Sequence, residues 1–175
     1  MSPLPPVPPP LCSRSRKGDI AETLFTAKAL RLGFRLSRPV SSDCRYDLLV
    51  DAAGRYRRVQ IKSAWGAPVR HGYTIHLWRS VRRGILLYQP DEVDFFALYI
   101  ARPDAWYVVP ARALAGRVSM PVYPENPKSH CWLEKYREAW HLLLPRGVKI
   151  GDLKAMAEPG YAGEAEEVQP SLTGL

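Results

Sequence analysis

Three side chains stand at a spacing that could do hydrolytic chemistry: Asp47, Gln60 and Lys62, a D-x12-Q-x-K pattern. Arg45-Tyr46-Asp47-Leu48-Leu49-Val50 reads as a strand, Ala53-Gly54 as a turn, and Val59-Gln60-Ile61-Lys62 as the returning strand. Strand side chains alternate, so Asp47, Leu49 and Asp51 share one face, while Gln60 and Lys62 share a face opposite Val59 and Ile61. A turn at Ala53-Gly54 brings Asp47 toward Gln60 and Lys62 near one sheet edge. A carboxylate can hold a divalent cation, and a nearby lysine can orient water or offset charge on a phosphate. This set suits metal-assisted hydrolysis of a phosphodiester. Acids before apolar strands and lysines after them also serve as edge gatekeepers, so the triplet needs support from elsewhere in the chain.

That support lies upstream. Lys17-Gly18-Asp19-Ile20-Ala21-Glu22 opens a segment free of interior proline that runs to Gly33, a residue suited to a helix C-terminus. Ala21, Phe25, Lys28 and Leu32 form one stripe, with Ile20, Leu24, Ala27 and Arg31 beside it, an arc wide enough to pack on a sheet. Glu22 borders this arc. A glutamate directed toward a sheet needs a partner, because an unpaired buried charge is costly; Lys62 or a shared metal would supply one. A first-turn acid that complements the helix dipole is the competing role.

Gly18-Asp19-Ile20-Ala21-Glu22, Arg45-Tyr46-Asp47, Gln60-Ile61-Lys62 and Val93-Asp94-Phe95-Phe96-Ala97, in this order, resemble the PD-(D/E)XK nuclease superfamily. The likeness is to the group I intron homing endonuclease branch, in which glutamine stands at the variable acidic position. It spans roughly residues 16–144 and includes Trp132-Leu133-Glu134-Lys135-Tyr136. The resemblance implies an α/β, restriction-endonuclease-like core, a mixed β-sheet flanked by helices, and Mg²⁺-dependent hydrolysis of double-stranded DNA, with Mn²⁺ as a substitute ion. It makes Asp47 the central metal ligand, Lys62 the catalytic lysine and Glu22 the helix-borne acid, with the Gln60 carbonyl and the Ile61 backbone carbonyl as further ligands. Two departures stand out. Tyr46, not proline, precedes Asp47, and Gln60 is neutral. A set carrying two negative charges predicts weak metal binding with hydration waters retained.

The 175 residues suffice for one domain with a real core. The formal net charge of +8 comes from 25 Lys and Arg against 17 Asp and Glu. Lys154 and five acids (Asp152, Glu158, Glu164, Glu166, Glu167) lie beyond residue 150, leaving 24 basic and 12 acidic side chains before it, a net of +12. So basic a domain suits a polyanion, since released counterions drive phosphate binding. Cys12, Cys44 and Cys131 form no CxxC pair and lack histidines at zinc spacing, which argues against a structural zinc site. His71, His76, His130 and His141 are scattered. No apolar run is long enough for a membrane span and no secretory signal is evident, so a cytoplasmic protein is expected.

Residues 1–14 read as a Pro-rich disordered arm, 15–145 as the folded domain, and 146–175 as an acidic, largely disordered tail. Within the domain, strands are expected at 34–39, 45–52, 55–63, 73–78, 93–100, 105–109 and 119–123. A short helix is expected at 110–114 and a helical segment at 132–143. The stretch 64–90 interleaves Trp65, Arg70, His71, Tyr73 and Trp78 with Arg79, Arg82 and Arg83, and is the expected DNA-facing region. Arg79 to Arg83 read as a loop. Asp94, at the start of a buried strand, reads as a structural acceptor. Cutting two strands calls for two sites, so a homo-oligomer (dimer or tetramer) is expected. A Holliday-junction or repair nuclease on the same core and a non-catalytic DNA-binding module are the competing functions.

Overall fold

The computed structural model describes residues 13–157 apart from 42, 70–71, 90 and 127–130; the Pro-rich arm through Cys12, Arg70, His71, His130 and the chain beyond 157 lie outside the described residues. Helix α1 (Arg14–Arg31) starts three residues before Lys17, because the Ser13 hydroxyl accepts the Arg16 N–H at 3.2 Å and caps it. It ends as the sequence implies, with Gly33 at φ 95 taking the left-handed conformation after the last turn. Ala21, Phe25 and Ala29 are its buried face, while Lys28 lies at its edge and pairs with Glu138 at 2.7 Å.

Five strands form the main sheet: β1 (Arg35–Ser37), β2 (Leu48–Ala52), β3 (Arg55–Ala64), then β7 (Phe95–Ile100) and β8 (Ala105–Pro110), in the order β1-β2-β3-β7-β8. β3 and β7 run parallel and the other neighbours antiparallel, the mixed sheet expected of a restriction-endonuclease-like α/β fold. β7 is buried along its whole length because both faces of the sheet are covered. On one face Val50, Val59, Ala97 and Trp106 pack with Phe25 of α1 and with Trp140. On the other, Phe96, Leu98, Ile100 and Tyr107 pack under a small sheet of β4 (Tyr73–His76) and β9 (Ser119–Val122). Between them in sequence lie β5 (Trp78–Val81) and β6 (Gly84–Leu87), a separate antiparallel hairpin.

Three differences from the sequence reading have physical causes. Arg79 to Arg83 are not a loop: Arg79 is on β5, opposite Leu86, and Arg82-Arg83 make the turn. This hairpin is largely exposed, so its residues lack the apolar alternation that betrays a half-buried strand. The segment 132–143 folds as two 3₁₀ turns, Trp132–Tyr136 and Trp140–Leu143, separated by Glu138 at positive φ. Packing also continues past Pro145, where helix α2 (Ile150–Ala157) buries Leu153 against the α1 side of the sheet.

Candidate active site

β2 and β3 are joined by the two-residue turn Ala53-Gly54, both at positive φ (54 and 79), and the Asp51 carboxylate accepts the Gly54 N–H at 2.8 Å. Paired positive φ values match the right-handed twist of the flanking strands, which fixes the register. Leu48 then faces Val59, and Asp47, one step before the strand, stands opposite Gln60. β3 has ten residues and β2 five. Beyond Val59, β3 therefore continues with β7 on one side and without β2 on the other. The resulting notch is in the middle of the sheet, not at the edge that the strand pattern suggests, because β7 and β8 extend the sheet past β3.

Asp47 closes the notch. Its backbone N–H donates to the Val59 carbonyl at 2.9 Å, the last rung of the β2 ladder. Its Oδ2 then replaces the next rung, accepting the Ile61 N–H at 2.7 Å and Gln60 Nε2 at 2.6 Å. Burial pushes the Asp47 carboxyl up to about 6, and the nearby Glu22 charge adds to this. The Ile61 N–H, the Lys62 ammonium and the Gln60 amide pull the other way without prevailing. Desolvation thus outweighs two hydrogen bonds and a cation. Gln60 is 6% exposed, and its Nε2 also approaches the Ile61 carbonyl at 3.4 Å.

Lys62 lies on the Gln60 face of β3, opposite Leu98 of β7. Its Nζ donates to the Tyr88 hydroxyl at 2.8 Å, and burial lowers its pKa against the opposing attraction of Asp47. Arg79 lowers it further, so the β5–β6 hairpin brings at least one arginine within electrostatic reach of the lysine. Arg82 and Arg83 sit in the turn at the opposite end of that hairpin. Glu22 acts on Asp47 through its charge, but its Oε2 is hydrogen-bonded to Arg38 at 2.9 Å rather than to Lys62. Asp94 is the structural acceptor it resembles in sequence. It takes the Arg58 N–H at 2.8 Å and the guanidinium at 3.0 and 3.2 Å, and these bonds overcome its burial and hold its carboxyl below the usual range.

Tyr88 and Arg38 carry no sequence signal for these roles. Each meets its partner across a distant stretch of chain, 26 residues for Lys62–Tyr88 and 16 for Glu22–Arg38. Among the described residues no three His, Cys, Asp or Glu side chains gather into a metal-holding cluster. The notch offers the Asp47 carboxylate beside the Gln60 amide and the Ile61 carbonyl, with the Glu22 charge near enough to act on Asp47. Asp47 Oδ2 and the Ile61 carbonyl both converge on Gln60 Nε2, which meets the negative charge that burial has made costly. Asp47, Glu22, the Ile61 carbonyl and, with its amide reversed, the Gln60 side-chain oxygen are all hard oxygen donors, a chemistry that suits a hard divalent cation such as Mg²⁺ or Mn²⁺.

The family model for PD-(D/E)XK endonucleases matches residues 12–143. Among solved structures, the bacterial homing endonuclease I-Ssp6803I is similar with a TM-score of 0.68 and 27% identity, over 85% of this chain and 100% of that one. MepB overlaps 72% of this chain and 96% of its own with 14% identity and a TM-score of 0.43. No relative was found among curated protein sequences. Among the described residues no helix is long and apolar enough to cross a membrane. A central notch built from Asp47, Gln60 and Lys62, on the expected mixed sheet and under a family match over most of the chain, leads to one conclusion: the chain belongs to the PD-(D/E)XK endonuclease family, with the core of a nuclease.

Proposed function

We propose that the protein is a divalent-metal-dependent endonuclease that hydrolyses phosphodiester bonds in double-stranded DNA, as a homo-oligomer whose sites serve the two strands. The observation that carries this reading is the Asp47 carboxylate held by the Ile61 N–H and Gln60, with Lys62 on the Gln60 face of β3. Asp47, Glu22, the Gln60 side-chain oxygen and the Ile61 carbonyl would hold the cation. When bound, Mg²⁺, or Mn²⁺ in its place, polarises the scissile phosphate and lowers the pKa of a water molecule. Asp47 must be deprotonated to take part, and the Ile61 N–H keeps its carboxylate in place for this. Lys62 presents its ammonium to the attacking water or to the phosphate oxygen that gains charge as the water oxygen bonds phosphorus and a P–O ester bond breaks. Arg79, Arg82 and Arg83 contact DNA, consistent with a net charge of +8.

Cleavage of supercoiled plasmid and of a four-way junction, in Mg²⁺ or EDTA, tests the reading with the wild type and Lys62→Ala. The expected result is Mg²⁺-dependent cutting that Lys62→Ala loses while keeping the native circular-dichroism spectrum. Preference for the junction would turn the assignment toward a resolving enzyme. Salt-sensitive DNA binding without cutting of any substrate, including a randomised-site library, would leave a binding module.

A further inference from the structure

We infer that Tyr88 is a positioning residue for Lys62, fixing the ammonium from the foot of the arginine-bearing hairpin. The inference rests on the catalytic role given to Lys62 above and adds a residue that the family motif does not contain. A lysine side chain has four rotatable carbons and a compact, freely turning charge, so a lysine that must meet a reacting phosphate needs something to hold it. Tyr88 Oη accepts a hydrogen bond from Lys62 Nζ at 2.8 Å, while the same Nζ lies 4.8 Å from the centre of the tyrosine ring. One of the three ammonium hydrogens is thereby engaged, leaving two for water or phosphate.

The ring itself is held. It meets Phe96 edge-on, with centroids 5.4 Å apart and an interplanar angle of 84°. Phe96 is the β7 residue opposite Gln60, two positions before the partner of Lys62. The clamp is therefore built on the central strands. Tyr88 also directly follows Leu87, the last residue of β6, and Arg79 on β5 acts electrostatically on both Tyr88 and Lys62. The lysine is thus tethered where the exposed hairpin joins the core.

Tyr88→Phe removes the hydroxyl and keeps the ring, so it separates positioning from packing. On whichever DNA the wild type cleaves, the single-turnover rate should fall about tenfold or more, as expected for a displaced catalytic group. The DNA Kd in Ca²⁺ should stay within about twofold, because a positioning group acts on the reacting state and not on ground-state binding. Side-chain ammonium NMR of the metal-free protein supplies a readout independent of activity. The wild type should show a slowly exchanging Lys62 signal, assigned with Lys62→Arg, and Tyr88→Phe should broaden or lose it. An unchanged Lys62 signal, an unchanged cleavage rate, or a parallel loss of DNA affinity would each overturn the inference. Absence of cleavage by the wild type would defeat the nuclease reading alone, and the NMR comparison would still decide whether Tyr88 holds Lys62.

Discussion

The molecule contains two β-hairpins of opposite character. β2–β3 is clamped into the sheet: Leu48, Val50, Ala52, Val59 and Ile61 are buried, and a two-residue turn with paired positive φ fixes its register. β5–β6 pairs only within itself and exposes Val81, Ile85 and Leu86 beside Arg79, Arg82 and Arg83. The first fixes Asp47 through the Ile61 N–H and Gln60, and Lys62 through Tyr88. The second carries the arginines that the proposed function sets against DNA, and a two-stranded ribbon is narrow enough for a major groove. The buried and the exposed hairpin are two copies of one motif, and they connect where Tyr88, just after β6, meets Lys62 of β3.

The largest effect should come from breaking the chemistry of the first hairpin. Asp47→Ala should lower the cleavage rate by about 10³-fold or more, measured under single-turnover conditions, without loss of DNA binding in Ca²⁺. The energetic contrast comes next. Leu48→Ala should cost about 2–5 kcal/mol of stability by leaving a cavity in the core, whereas Arg82→Ala with Arg83→Ala should change stability by under about 1 kcal/mol; urea melts of the two variants measure the difference.

Asp47 also gives the first hairpin a pH signature. Its folded pKa of about 6 lies above the ordinary 3.8, so the native state binds more protons than the unfolded state between these values. Stability of the metal-free protein should therefore fall as pH rises from about 4 to about 6 and then level off. Asp47→Asn should remove that fall and be more stable than the wild type at pH 7 by on the order of 2–3 kcal/mol, while losing cleavage. A metal must displace the proton, so apparent Mg²⁺ affinity should drop about tenfold per pH unit below 6, a dependence that calorimetry reads directly.

The smallest effect belongs to the second hairpin. Arg82→Ala with Arg83→Ala should weaken DNA binding and reduce the slope of log K against log salt by about 2, leaving the rate at saturating DNA near that of the wild type. An unchanged slope would move the DNA-binding surface away from this ribbon.

The two hairpins also differ in how far the sequence revealed them. The first was legible because the Ala53-Gly54 turn and the alternation of Val59-Gln60-Ile61-Lys62 set the pairing and the faces, so the meeting of Asp47 with Gln60 follows from local pattern. Glu22 was legible as an acid bordering a packed helix face, but its hydrogen bond to Arg38 was not. The second hairpin was read as a basic loop, since its pairing buries little and leaves no periodic trace. The depth of the site was hidden for another reason. Only the parallel pairing of β3 with β7, which begins more than thirty residues later in the chain, makes β3 a central strand. α2 escaped notice because only Ile150 and Leu153 of its described side chains meet the core, too short a stretch to show a helical period.

The most direct test of the account is cleavage of a randomised-site duplex library, comparing the wild type, Asp47→Ala and Lys62→Ala in Mg²⁺ and in EDTA. The account predicts discrete Mg²⁺-dependent cuts by the wild type alone. Equal cutting by either variant, or cutting that persists in EDTA, would contradict it.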